Sequence, residues 1–225
     1  MITPVSPSVR NAGLRSAILA TAFSLVYVVG QLAEWAGWLG SKGGPESAST
    51  PLGIVVLLTP SLFLGPSFLM LMVSVHYLAA PERRIWSHAA ITFATAYMVL
   101  IGIVYYVQLT LVAPRIAAGR TEGIEVFLFM PFDSFLYAVD ILGYSFMSIA
   151  TLFAAKVFTG NGVERYARLA LTANGLLLPF LALQMYFHSL IWIASLWAVT
   201  FPASTLLLAV LFSRSQTIET GGLRK

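Results

Sequence analysis

Residues 169–213 read LALTANGLLLPFLALQMYFHSLIWIASLWAVTFPASTLLLAVLFS, forty-five consecutive positions without Asp, Glu, Lys or Arg. A bilayer core of about 30 Å is crossed by roughly 20 helical residues, so this stretch is too long for one span and comfortable for two. The division requires a tight turn near His188 to Leu190, with spans over about 169–187 and 190–212. Pro179 and Pro202 then fall inside the spans, where each frees a carbonyl that needs a partner within the bundle.

Moving toward the N-terminus, four more apolar runs of the same kind appear, at about 14–35, 52–80, 88–112 and 132–157. The first follows Arg10 and Arg15, as a signal peptide would. Its length and the lack of a clear small-residue cleavage site before Glu34 make it a retained helix. The second is longer than a membrane core requires, which predicts tilt, an interfacial extension or a bend at Pro60 or Pro66. Between the third and fourth lies the longest interruption, 113–131. Its 123–130 piece is apolar enough to lie in the interface or dip back into the bundle.

Composition agrees with this reading. Hydrophobic residues make up 58% of the 225 positions and charged residues 10%, against about 25% charged in soluble domains. The expected fold class is therefore all-α: a polytopic membrane protein, a six-transmembrane-helix bundle forming a single integral membrane domain over 1–225. Cysteine is absent, which removes disulfides, thiolate metal sites and cysteine nucleophiles from consideration. The net charge of +4 sits in short connections, so it argues for orientation in a bilayer and not for nucleic acid.

If the N-terminus is cytoplasmic, the inner segments hold Arg10, Arg15, Arg83, Arg84, Lys156, Arg165, Arg168, Arg214, Arg224 and Lys225, and the outer ones only Lys42, Arg115 and Arg120. Ten against three is the positive-inside bias expected of six spans with both termini cytoplasmic, in the inner membrane if the source is prokaryotic.

Orientation assigns a depth to each polar group. Tyr27, Gln31 and Glu34 share one face at the outer end of the first span, and Tyr105 and Gln108 form an outer pair on the third. Asp133, Tyr137, Asp140 and Tyr144, at steps of four, three and four, continue through Ser148 and Thr151 as a polar stripe on the fourth. Gln184 and His188 stand four apart at the outer end of the fifth. Asp140 is the most informative of these. About eight residues into its span, roughly 12 Å along the axis, a carboxylate must face the bundle or water, since exposure to lipid costs at least several kcal/mol. Glu34 and Asp133 are shallower and open to wetting.

One reading is an outward-facing cavity lined by the first, third, fourth and fifth spans. Its candidate ligand-binding residues are Asp140, Tyr144, Tyr137, Asp133, Glu34, Gln31, Tyr27, Tyr105, Gln108, Gln184 and His188. Acids beside tyrosine and tryptophan suit a small polar, cationic or amphipathic ligand, through charge and ring faces, and a proton- or cation-coupled transporter would use Asp140 as its coupling carboxylate. The opposing reading is polar glue, the same groups bonding across helices in a sealed bundle. Shared depth on four spans favours the cavity. An intramembrane enzyme would use Asp140, Asp133 and His188 as general acid and base, but no nucleophile elbow, zincin signature, phosphate loop or dinucleotide fingerprint is present, so binding is favoured over catalysis. A structural or partner subunit of a membrane complex would need no cavity.

No cofactor is expected. His76 and His88, near the inner ends of the second and third spans, are the weak exception as a haem or metal pair. Trp35, Trp38 and Trp86 read as interface anchors, Trp192 and Trp197 as facing lipid or the cavity, and the aromatic 127–135 region as interfacial packing or, in a lipid-binding protein, as a lid or an entrance for lipid-like ligands. The lipid bilayer is the one partner the sequence demands.

Overall fold

The computed structural model describes residues 4–215, so Arg224 and Lys225 lie outside the described residues. The fold is all-helical, and six helices, numbered here as the first to sixth spans, are long and apolar enough to cross a membrane: Pro7–Trp35, Pro51–Leu78, Pro81–Ala117, Phe135–Ala155, Val163–Leu183 and His188–Arg214. Three begin on a hydroxyl cap. Ser6 accepts from the Val9 amide, Thr50 from Gly53 and Ser134 from Tyr137, and Pro7 and Pro51 follow as first helical residues with no amide to leave unpaired.

Each span packs on the next in sequence, and the sixth returns to the first, closing a ring of six. Five of the six seams carry a helix glycine at the contact: Gly30 between first and second, Gly65 between second and third, Gly143 between third and fourth, Gly175 between fourth and fifth, and Gly13 between first and sixth. Without a hydrophobic force between helices in lipid, close backbone approach supplies the packing energy, and small residues permit it. The remaining seam, fifth to sixth, is held by Asn174, which donates to Thr151 Oγ1 at 3.2 Å and accepts from Thr200 Oγ1 at 3.0 Å.

The first and sixth spans meet at one end of the ring, where Arg10 donates to the carbonyls of Phe212 and Ser213. Connections 36–50 and 118–134 lie at the other, called the loop end. Arginines also close other helix ends on the side of the termini: Arg83 donates to the Lys156 carbonyl and Arg168 to that of Phe158. These cations neutralise carbonyls left over by the helix.

Several boundaries differ from the sequence expectation. The third span continues through Pro114 where an end was expected. A five-residue π-helical turn, Gln108–Val112, precedes the proline, and the Ala113 amide bonds the Gln108 carbonyl, so the ladder is already widened where the proline removes an amide. The second span stays one continuous helix through Pro60 and Pro66. The fifth is interrupted beside Pro179, as Val163–Gly175 and Leu178–Leu183, and the sixth as Ile191–Ala194 and Trp197–Arg214. The turn between them falls at 184–190, overlapping its expected place.

Candidate functional site

At the centre of the ring, aromatic side chains from five spans interlock. Phe68 meets Tyr97 and Phe201 edge-on or tilted at 5.8 and 5.5 Å, Tyr97 meets Tyr144 at 5.7 Å, and Tyr144 meets Trp197 at 5.4 Å. Trp197 also stacks on Phe201 at 5.1 Å and meets Tyr27 edge-on at 5.8 Å. Tyr27, Tyr144 and Trp197 of this layer form the floor of a cavity of about 440 Å³ at the loop end, with Phe68, Tyr97 and Phe201 packed behind them.

Asp140 stands in the wall of that cavity at 7% exposure, with Oδ1 buried and unpartnered. Its depth has a different origin from the one expected. The fourth span begins at Phe135, so Asp140 is the sixth helical residue, about 7.5 Å from the start. The connections share in the same lining, through Phe129 and Pro131 of one and Pro45, Ser47 and Ser49 of the other. Tyr105 lines the same wall, its hydroxyl donating to that of Tyr144 at 3.1 Å. Tyr27 donates to Gln31 Oε1 at 2.9 Å, and Tyr137 to Gln184 Oε1 at 3.5 Å.

Glu34 is not wetted, contrary to expectation. At 2% exposure it is more deeply covered than Asp140, and neither carboxylate oxygen has a partner. Its carboxylate folds against the first turn of the second span: a Cβ on Gly53 would lie 2.6 Å from Oε2. The positive end of that helix favours an anion there, and only a glycine leaves space for it. No Lys, Arg or His among the described residues lines the cavity. Two acids therefore stand in a wall without a cation of its own.

The chain matches no protein-family model, no curated protein and no solved structure.

Of the eleven candidate residues, eight line the cavity: Tyr27, Gln31, Glu34, Tyr105, Tyr137, Asp140, Tyr144 and Gln184. Three do not. Gln108 is fully buried and donates to the Phe127 carbonyl at 2.6 Å, pinning the connection that dips over the site. Asp133 is exposed. His188 is half-exposed, lies 3.8 Å from Glu46 and stacks on Phe132 at 4.2 Å. Phe132 holds a positive φ of 64°, a strained conformation for a bulky side chain. Of the acid–base set Asp140, Asp133 and His188, only Asp140 lines the cavity.

Two features of the site escape a reading of the sequence. Tyr97 is buried with its hydroxyl unpartnered, and the signal that could have found it is the helical face that Tyr97, Tyr105 and Gln108 continue. The sixth span is also a wall of the cavity. Trp197, which the sequence leaves between lipid and the cavity, lines the cavity, its indole donating to Met147 Sδ at 3.3 Å. On the side of the termini, His76 and His88 do meet, but stacked at 4.4 Å, with His76 Nδ1 hydrogen-bonded to Ser87 at 2.8 Å. Stacked rings offer each other faces, not ligating nitrogens, and among the described residues no cluster of three or more His, Cys, Asp or Glu is placed to hold a metal.

Proposed function

We propose that the chain is a multi-pass integral membrane protein, both termini cytoplasmic, which binds a small organic cation in the loop-end cavity. The observation that carries this reading is the buried, unpartnered Asp140 oxygen beside the faces and edges of Tyr27, Tyr144 and Trp197, in a wall with no basic residue. A carboxylate removed from water without a partner costs several kcal/mol. A ligand cation supplies the missing charge, and aromatic faces add about 0.5–2 kcal/mol each in a desolvated site. Glu34 is a second acid in the same lining. Placing that mouth outside the cytoplasm rests on the ten-to-three distribution of basic residues.

Calorimetry in lipid nanodiscs with tetramethylammonium and choline tests the reading. Saturable binding is expected, weakened at least tenfold by Asp140→Asn and severalfold by Trp197→Leu. A wild-type protein that binds no ammonium ion at millimolar concentration would overturn it.

Transport is a second reading, favoured by the change in helix geometry at 195–196, where Ser195 lines the cavity. Discontinuous spans at a binding site are a recurring feature of transporters. The aromatic floor would have to part for passage, and counterflow of labelled choline in proteoliposomes, lost in Asp140→Asn, is the expected result.

A further inference from the structure

The cavity has a side as well as a mouth. Leu32 and Val199 line it, yet they are 60% and 69% exposed, where Asp140 in the same lining is 7% exposed. A side chain that borders both the inside and the outside marks an opening, and these two stand on adjacent spans, the first and the sixth.

Two aromatic pairs frame that opening. Trp35 meets Trp192 at 5.5 Å toward the loop end, and Tyr27 meets Trp197 at 5.8 Å at the floor. Between them the sixth span offers only small side chains to the cavity, Ala194 and Ser195, and Ala198 and Val199 follow directly after Trp197. Its helix tightens there, the Leu196, Ala198 and Val199 amides bonding carbonyls three residues back, and Pro202 removes the amide that would bond the Ala198 carbonyl. The same seam is tight on the side of the termini, where Gly13 packs on the Phe212 ring and Arg10 bonds the Phe212 carbonyl. First and sixth spans thus clasp at one end and are bridged by ring pairs at the other.

The chemistry of the opening differs from that of the floor. Val28, Leu32 and Val199 are apolar, whereas Asp140 lies inward of them with the tyrosines. Gln31 and Gln184 are already engaged by Tyr27 and Tyr137, and no basic side chain among the cavity's residues is there to receive a phosphate. We infer that the ligand is a single-chain amphiphilic cation without a phosphate, which enters from the bilayer between the first and sixth spans. Its ammonium head rests near Asp140 and its alkyl chain lies in the window between Leu32 and Val199. This rests on the cation-binding reading and adds the class of ligand and its route.

The experiment compares tetramethylammonium with decyltrimethylammonium in nanodiscs, with ligand expressed per lipid. The chain has no cysteine, so Leu32→Cys can be labelled with a bulky maleimide after folding, and its unlabelled form reports any folding defect. Val199→Trp is the independent variant. Blocking the window is expected to weaken decyltrimethylammonium at least tenfold and to leave tetramethylammonium within about twofold. Undiminished decyltrimethylammonium binding in both blocked proteins, or equal loss of both ligands, would overturn the lateral route. Failure of the unmodified protein to bind either ligand would instead remove the cation site itself.

Discussion

A carboxylate oxygen withdrawn from water without a hydrogen-bond partner destabilises a fold, and here Oδ1 of Asp140 and both oxygens of Glu34 are so placed, on residues that border one cavity. The tension predicts a trade of stability against binding. Asp140→Asn should raise thermal stability in the absence of ligand, by about 1–3 kcal/mol, while weakening tetramethylammonium binding at least tenfold. Thermal unfolding followed beside calorimetry reads both signs in one sample, and a stability loss would mean that the carboxylate is satisfied in the free protein. Glu34 gives a sharper contrast. Its carboxylate rests on the helix end at Gly53, so Gly53→Ala should displace it toward the cavity and destabilise the protein, an effect that Glu34→Ala in the same chain relieves. The helical spacing of Tyr27, Gln31 and Glu34 is legible as a pattern, but the fate of each acid is not. Whether a glycine on the neighbouring helix leaves room for a carboxylate depends on how the two helices approach.

At the scale of elements, the seams and the overlying connection decide stability. Gly175 is the tightest seam: an added Cβ would fall 2.2 Å from Leu152 Cγ and 2.9 Å from the Ser148 carbonyl oxygen. A side chain can turn aside, but a helix backbone cannot. Gly175→Ala should therefore cost about 1–3 kcal/mol, seen as a lowered unfolding midpoint in detergent, with Gly102→Ala, which meets nothing within 4 Å, as the neutral control. The 123–130 piece illustrates what an apolar loop can do. Its composition suits either an interfacial or a re-entrant course, and in the fold Ile124 is buried at 3% while Phe129 reaches the cavity. Gln108 holds it through the Phe127 carbonyl, so Gln108→Leu should cost about 1–2 kcal/mol and speed amide exchange over 124–130 without altering the floor. That role is hidden in the sequence because Gln108 shares the helical face of Tyr105, and only the π turn beginning at Gln108 and the folded connection give it a different task.

For the molecule as a whole, orientation is the property to test, and a chain without cysteine is suited to it. Ser41→Cys and Glu122→Cys in the loop-end connections should react with an impermeant thiol reagent applied outside cells, and Asn161→Cys should react only after permeabilisation; the reverse pattern would turn the cavity toward the cytoplasm. The six spans themselves are legible because membrane crossing is imposed by a solvent. Lipid admits only a backbone that bonds to itself, and it demands a fixed length of apolar side chains, so hydropathy along the chain carries the message. Charge at the connections then suggests a direction. The ring order, the aromatic floor, the covering of Glu34 and the window between first and sixth spans belong to the tertiary structure alone. They depend on which faces of distant helices come together, and an apolar face looks the same in sequence whether it meets lipid, a neighbouring helix or an enclosed space.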